Sequence, residues 1–284
     1  MRDGDAVAAP SVEPPGSIDL TAMTAIEILL AAISGGIVGI VLGLVGGGGS
    51  ILAVPLLLYL VGVTNPHVAI GTSALSVAAS AASALVSHAR AGTVKWRCAL
   101  MFAAAGSLGA FGGSALGKAI DGQRLLFLFA IVMIVVGVTM LRGRGDPGNP
   151  DVVCTRTNAP KVVGFGLGSG AFSGFFGIGG GFLIVPGLVA ATGMPMLNAI
   201  GSSLVAVTAF GLTTAASYAG SDLIDWPLAA VFVSGGIAGS FVGGVISRRL
   251  AAKTNALKTV FAVLIFFVAA YMLWQSGQAF WEVS

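Results

Sequence analysis

Long apolar blocks alternate with short polar stretches along most of the 284-residue chain. Asp, Glu, Lys and Arg are absent from residues 29–87, 162–221 and 226–247. A bilayer core about 30 Å thick needs roughly 20 helical residues to cross it, so blocks of this length predict membrane-spanning helices. The pattern predicts apolar segments at about 24–45, 50–63, 67–88, 96–117 and 124–142, and again at about 161–177, 181–193, 197–219, 226–247 and 256–276.

The second segment of each series, 50–63 or 181–193, is too short to span a bilayer comfortably. Each follows a run rich in glycine, which is typical of a broken or re-entrant helix in a transporter. Counting both short segments as crossings gives ten helices, and counting neither gives eight. The sequence predicts an all-α polytopic membrane protein of 8–10 transmembrane helices with glycine-broken helices.

The two series repeat one another. Glycines recur every four residues before each short segment, and a proline follows inside it: Gly35, Gly39, Gly43 and Pro55 in the first series, Gly166, Gly170, Gly174 and Pro186 in the second. The pentapeptide AIGTS at 69–73 likewise matches AIGSS at 199–203, and Trp96 matches Trp226. This internal duplication predicts two membrane repeats, 24–142 and 161–276.

Loop charge predicts the orientation of the repeats. Basic residues cluster at 90–97, in the Gly/Pro-containing linker 143–160 with its flanks, and at 248–253, which places these loops in the cytoplasm. The N-terminal tail 1–23, which carries four acidic residues, three prolines and one arginine and is expected to be disordered, and the C-terminal tail 277–284 are then periplasmic. Loop 90–97 is basic whereas its counterpart 220–226 is acidic, so the repeats are expected to be inverted.

Composition excludes several other classes of protein. A mean hydropathy of +0.97 with only 9% charged residues leaves too few polar side chains to cover a soluble globule. The net charge of +3 lies in loops, which does not indicate nucleic-acid binding. We find no catalytic motif and expect neither enzyme activity nor a cofactor or metal. Cys98 and Cys154 fit neither a disulfide framework nor a metal site and are expected to be inert.

The candidate chemistry lies in the backbone, because no charged side chain falls near the predicted midplane. A helix that restarts after a glycine break presents unpaired N–H groups and the positive end of its dipole, which favour an anion. Helices restarting at Ser50 and Gly181 would supply two such ends. The predicted substrate-binding residues are Gly46, Gly47, Gly48, Gly49, Ser50, Thr72, Ser73, Gly177, Gly179, Gly180, Gly181, Ser202 and Ser203.

Several of these features have a structural alternative. The four-residue glycine spacing also suits close helix packing, and we favour packing for Gly35, Gly39, Gly43 and their counterparts. The serines at 73, 76, 80, 83 and 87 lie on one helical face, where interhelical contact is the commoner role. His88 aligns with Tyr218 and is either an interface residue or a proton relay.

The doubled glycine pattern at Gly35–Pro55 and Gly166–Pro186, together with AIGTS and AIGSS, resembles the TauE/SafE family of sulfite exporters. The resemblance covers roughly residues 24–276. It implies a bacterial inner-membrane permease that moves sulfite, sulfoacetate or a related sulfur-containing anion. Gly47 faces Ile178 in the alignment, so the two glycine runs are not identical.

The sequence therefore predicts a secondary transporter, an exporter of a small sulfur-containing anion, working by alternating access of two inverted repeats. Its expected partners are the anion and the lipid bilayer. The proton motive force is the expected energy source. A passive small-anion channel is the alternative, because the same helix dipoles would serve a continuous pore. A nontransporting membrane scaffold is a third hypothesis, for which the linker offers no apolar face.

Overall fold

The computed structural model describes residues 25–120, 122–142, 148–149, 152, 154–155, 158–176, 181–251, 259, 262–271 and 273–274. The regular structure of these ranges is helical, which confirms the all-α class. The helices are α1 (Ala25–Val45), α3 (Pro66–Arg90), α4 (Trp96–Lys118), α5 (Gly122–Arg142), α6 (Ala159–Phe176), α7 (Gly181–Thr192), α8 (Met196–Ala219), α9 (Trp226–Ala251) and α10 (Ala262–Tyr271). The predicted tails and most of the linker lie outside the described residues.

The short helix α2 covers residues 46–61 and changes type along its length. It is a 3₁₀ helix over Gly46–Leu52, α-helical over Ala53–Pro55 and π-helical over Leu56–Val61. A side chain at Gly49 would overlap the backbone of Leu42, so the start of α2 folds back against the last turns of α1. The segment was expected to be short or re-entrant, and it is an irregular helix that doubles back.

Five helical stretches in the described ranges are long and apolar enough to cross a membrane: Ala25–Val61 counted as one run, Pro66–Arg90, Trp96–Lys118, Met196–Ala219 and Trp226–Leu250. Three shorter apolar helices accompany them, at Phe127–Thr139, Leu183–Thr192 and Ala262–Tyr271. The outward faces of the long helices carry large apolar side chains, such as Leu108 on α4, which is 74% exposed. These lengths and faces fit a multi-pass membrane protein.

Local sequence sets where the long helices begin. Asn65 precedes α3, and its Oδ1 accepts a hydrogen bond from the amide of His67 at 2.9 Å, while Pro66 occupies the first helical position. Asp225 precedes α9, and its Oδ1 accepts from the amide of Leu228 at 3.0 Å. These caps satisfy helix amides that would otherwise lack a partner.

Two helix pairs dominate the packing, α1 with α9 and α4 with α6. Glycine makes the close approach possible: a methyl group at Gly39 would overlap the carbonyl oxygen of Gly236, and one at Gly170 would overlap that of Gly106. The packing role expected for the four-residue glycine spacing is thereby confirmed.

The helix pairs join the two halves of the chain reciprocally. Helix α1 opens the first half and packs on α9 in the second, whereas α6 opens the second half and packs on α4 in the first. Helices α3 and α8 pack on each other between these pairs, and α7 packs on the 3₁₀ part of α2. Each set of glycines spaced four residues apart, which we call a glycine ladder, therefore lies at a contact between the two halves of the chain.

The cysteines depart from expectation. In the structure Cys98 and Cys154 form a disulfide, with their Cα atoms 5.3 Å apart, although the sequence was expected to hold no disulfide framework. The cause is the path of the linker, which returns to the first turn of α4 across a separation of 56 residues. The sequence holds no spacing that shows this return. We call this side of the molecule, with loop 91–95, Cys154 and the last turns of α3 and α9, the basic end.

Candidate functional site

The junction between α1 and α2 is built around Gly46. Its φ of +70° is left-handed, a conformation that glycine adopts without a Cβ clash. A Cβ here would also lie 2.6 Å from Oγ of Ser203 and 2.9 Å from the carbonyl oxygen of Ile200. Position 46 therefore excludes other residues both by backbone conformation and by contact with α8.

The helix does not restart at Ser50, as the sequence had suggested. The 3₁₀ helix begins directly at Gly46, and Ser50 lies within it, its Oγ donating to the carbonyl oxygen of Gly47 at 2.9 Å. Of the four glycines, Gly46 alone has a positive φ. A single left-handed residue followed by a tight turn is enough to reverse the chain, so the break is shorter than four glycines imply.

Two predicted site residues from opposite halves meet at this break. The amide of Gly47 donates to Oγ of Ser203 at 3.1 Å, and that hydroxyl donates to the carbonyl oxygen of Ile200 at 2.7 Å. Gly46, Gly47, Gly48, Gly49 and Ser50 are all buried, as is Ser203. An amide and a hydroxyl, both capable of donating to an anion, thus lie side by side away from the surface.

The second short helix lies next to the first. Helix α7 is described over Gly181–Thr192 and packs on Gly46–Leu52. Gly177, Gly179 and Gly180 fall outside the described residues. Ser73, the counterpart of Ser203, is buried on α3 and donates to the carbonyl oxygen of Ile70 at 2.8 Å. The structure therefore brings the two interrupted segments together, with α3 and α8 beside them.

The other predicted hydroxyls are held by loops. Oγ1 of Thr72 accepts from the amide of Asp225 at 3.0 Å, and Oγ of Ser202 accepts from the amide of Lys95 at 2.8 Å. These are matching contacts, since Thr72 aligns with Ser202 and Asp225 with Lys95. Each hydroxyl fastens the loop before a helix of the opposite half. Sequence reasoning missed this role because the donors are backbone amides, which leave no residue-type signal.

His88 lies beside the same break. Its Nε2 is 3.1 Å from the carbonyl oxygen of Gly43, and its Nδ1 is 3.0 Å from Oγ1 of Thr93. The amide four residues beyond Gly43 is that of Gly47, which donates to Ser203. His88 therefore bonds a carbonyl at a helix end, and its two ring nitrogens both have partners.

Tyr218, the counterpart of His88, has a different environment. It is fully buried, its hydroxyl has no partner among the described residues, and Nζ of Lys118 lies 5.6 Å from its ring centroid. The two halves therefore differ in chemistry at equivalent places.

In the described ranges no three His, Cys, Asp or Glu side chains are grouped so as to hold a metal ion.

Apolar helices around a buried meeting point of two short helices, one of them irregular, are typical of a polytopic membrane transporter. The chain belongs to the TauE/SafE family, since the family model described as "Sulfite exporter TauE/SafE" matches residues 31–272. This is the family that the glycine motifs resemble. The family and its relatives are membrane transporters, and the chain is accordingly a transporter rather than an enzyme.

Similar proteins carry transporter names. A probable membrane transporter protein of Xylella fastidiosa (strain 9a5c) is 52% identical over 260 residues, which is 89% of this chain and 98% of that protein. The probable membrane transporter protein YunE of Bacillus subtilis is 25% identical over 272 residues, 88% of this chain and 98% of that protein. A probable membrane transporter protein of Haemophilus influenzae is 28% identical over 264 residues, covering 86% and 97%. No solved structure matches the chain.

Proposed function

We propose that this protein is a secondary transporter that exports a small sulfur-containing anion, such as sulfite or an organosulfonate, across the bacterial inner membrane. The substrate class is suggested by the description of its family as sulfite exporters. The mechanism we propose is alternating access of two inverted repeats. The site we propose lies where α2, α7, α3 and α8 meet.

The observation that carries the proposal is the pairing of Gly47 with Ser203. The amide nitrogen and the hydroxyl oxygen are 3.1 Å apart, so one oxyanion lying against both can accept from both. Hydrogen bonds to an ionised acceptor are roughly twice as strong as neutral ones. A bound anion would therefore draw the amide and the hydroxyl away from their present partners.

Helix ends add to the attraction for an anion. Helix α7 packs on the 3₁₀ part of α2, and the start of each helix carries partial positive charge. None of the proposed binding residues is basic, so binding would rest on amides and hydroxyls. A site of this kind can release its anion more readily than a site built on a buried arginine.

The reciprocal packing supports alternating access. Because α1 packs on α9 and α4 on α6, each half of the chain contributes one helix to each pair. The matched contacts of Thr72 with Asp225 and of Ser202 with Lys95 link the halves at equivalent loops. Movement of one pair against the other would open the central junction first to one side and then to the other.

The substrate class is tested with purified protein in proteoliposomes. Counterflow would be measured for sulfite, sulfoacetate, thiosulfate, sulfate and taurine, since counterflow requires a carrier and also separates the proposal from a channel. We expect saturable movement of sulfite or a sulfonate and little movement of taurine, whose ammonium group the amides would repel. Single-channel currents, or transport of none of these anions, would contradict the proposal.

The site is tested with the variant Ser203→Ala, matched by Ser234→Ala. Ser234 makes the same kind of bond within its helix, with Oγ 2.7 Å from the carbonyl oxygen of Val231, but it is exposed on α9. Removing the Ser203 donor should raise the KM for the transported anion by about tenfold, since a hydrogen bond to a charged group contributes about 1.5–3 kcal/mol. Equal KM values for the two variants would contradict this site.

A further inference from the structure

A polar cavity lies at the basic end of the molecule. It has a volume of about 430 Å³ and lies between the last turn of α3 and the last turns of α9. Its lining residues are Ser87, Arg90, Ala91, Phe241, Val245 and Arg248. Two arginines, one hydroxyl and two large apolar side chains thus share one opening at the end of two membrane-spanning helices.

The polar side of the cavity suits a phosphate group. Nη1 of Arg248 donates to Oγ of Ser87 at 2.8 Å, which fixes the direction of a half-buried guanidinium. Arg90 is exposed, and the lining of this cavity includes no carboxylate. Because Ser87 accepts from Arg248, its own hydroxyl hydrogen remains able to donate. Arginine forks match the oxygens of a phosphate in two parallel hydrogen bonds.

The apolar side of the cavity continues along the outer face of α9. Phe241 is 47% exposed, Val245 is 44% exposed, and Ile237, one turn earlier, is 40% exposed. From Ile237 to Val245 the helix rises about 12 Å at 1.5 Å per residue. One leaflet of a bilayer core is about 15 Å deep. This stripe can therefore line most of one acyl chain.

We propose that this cavity binds an anionic phospholipid, with its phosphate between Arg90 and Arg248 and one acyl chain along Ile237, Phe241 and Val245. A free anion would use the arginines but has no use for the apolar stripe. The basic loops predict that this end faces the cytoplasm, where anionic lipids attract basic residues close to membrane-spanning helices. The ligand is thus a lipid of the inner leaflet.

The test titrates the purified full-length protein, in neutral detergent, with phosphatidylglycerol and with phosphatidylcholine of the same acyl chains. Bound lipid would be counted by native mass spectrometry. We expect the wild-type protein to prefer phosphatidylglycerol by about tenfold or more, because both lipids offer a phosphate but phosphatidylcholine also carries a quaternary ammonium group, which the two arginines repel. The double variant Arg90→Gln with Arg248→Gln should lose this preference.

The matched control is Arg249→Gln, which removes the same charge one residue further along α9 outside the cavity lining. It should keep the preference. Arg90→Gln alone leaves the bond between Arg248 and Ser87 intact and should weaken the preference, which keeps the test decisive if the double variant does not fold.

The proposal would be overturned by equal binding of the two lipids by the wild-type protein, by an equal loss of preference in Arg249→Gln, or by an unchanged preference in Arg90→Gln. Displacement of phosphatidylglycerol by inorganic phosphate at equal concentration would also overturn it, because the cavity would then be a site for free anions.

Discussion

His88 illustrates how one residue can connect the substrate site to a proton. Its Nε2 bonds the carbonyl oxygen of Gly43, close to the amide of Gly47 that we assign to the anion. Its Nδ1 pairs with Thr93, whose hydroxyl also lies 3.1 Å from the carbonyl oxygen of His88 itself. The carbonyl oxygen of Gly43 accepts from Nε2, and the hydroxyl of Thr93 can either donate to Nδ1 or accept from it, so both nitrogens keep a hydrogen-bond partner whichever of them carries a proton.

If His88 relays a proton, His88→Gln should separate transport from its driving force. A glutamine amide can still donate to the carbonyl oxygen of Gly43, but it does not titrate. We expect anion exchange without a gradient to persist, while flux driven by an imposed pH gradient falls to the rate without one. Proteoliposome assays with and without a pH step would measure both.

His67→Gln is the control, because it removes the other histidine of the chain at the start of α3. It should leave gradient-driven flux unchanged. If the pH gradient stimulates flux through His88→Gln as much as through the wild-type protein, the relay is contradicted. If exchange without a gradient falls as much as gradient-driven flux does, His88 has a structural role instead.

The helices differ in how much their packing depends on glycine. On α1, Gly39 lies against the backbone of α9, whereas at Gly36 the nearest foreign atom to a Cβ would be 3.8 Å away. On α6, Gly170 lies against α4, whereas Gly168 faces open space. Two glycines within three residues of each other on one helix can therefore differ in whether they tolerate a side chain.

Alanine variants at packed and at unpacked glycines should differ in stability. Gly39→Ala and Gly170→Ala should each separate a helix pair at a cost of about 1–3 kcal/mol, as overpacking does. Gly36→Ala and Gly168→Ala should not destabilise the protein. Thermal unfolding of the detergent-purified variants would show this as a lower Tm for the first two only. Equal Tm values for Gly36→Ala and Gly39→Ala would contradict the packing of α1 on α9.

The sequence predicts the glycine ladder of α1 but not the helix against which it packs. A spacing of four residues is local, and it identifies the glycine face of α1 directly. That the face meets α9, in the other half of the chain, depends on the topology of the whole molecule. The contacts of Thr72 and Ser202 also join the two halves, and their donors are backbone amides, which leave no residue-type signal in the sequence. The start of α2 was placed too late, because four consecutive glycines suggest a long break, whereas the chain turns at Gly46 alone.

The whole molecule places its basic loops at one end. Cys98 on α4 is bonded to Cys154 of the linker, and Arg248 on α9 is bonded to Ser87 on α3, so loops predicted to share a side do lie together. Basic loops predict the cytoplasm for this end. Disulfides persist in oxidising compartments and are rare in the cytoplasm. The charge pattern therefore predicts that this pair is reduced in the cell and forms a disulfide after oxidation.

Thiol labelling would test that orientation. Cells expressing the protein would be treated with a membrane-permeant maleimide in denaturant, before any exposure to oxidant. We expect both cysteines to be labelled in these samples and neither after oxidation of isolated membranes. A requirement for prior reduction in the cell samples would contradict the cytoplasmic placement and turn the basic end towards the periplasm. Cys98→Ser identifies the labelled position.

The central claim, that the glycine break binds the transported anion, is tested most directly by sulfite flux through Gly46→Ala in proteoliposomes. Gly62→Ala is the matched control, because Gly62 has a φ of +91° but no atom within 4 Å of a Cβ. Both variants carry a left-handed strain of about 1–2 kcal/mol, while only Gly46→Ala crowds Ser203. We predict that Gly46→Ala reduces the sulfite flux at least about tenfold and that Gly62→Ala leaves the flux unchanged. Equal flux through equal amounts of the two inserted variants would contradict the account.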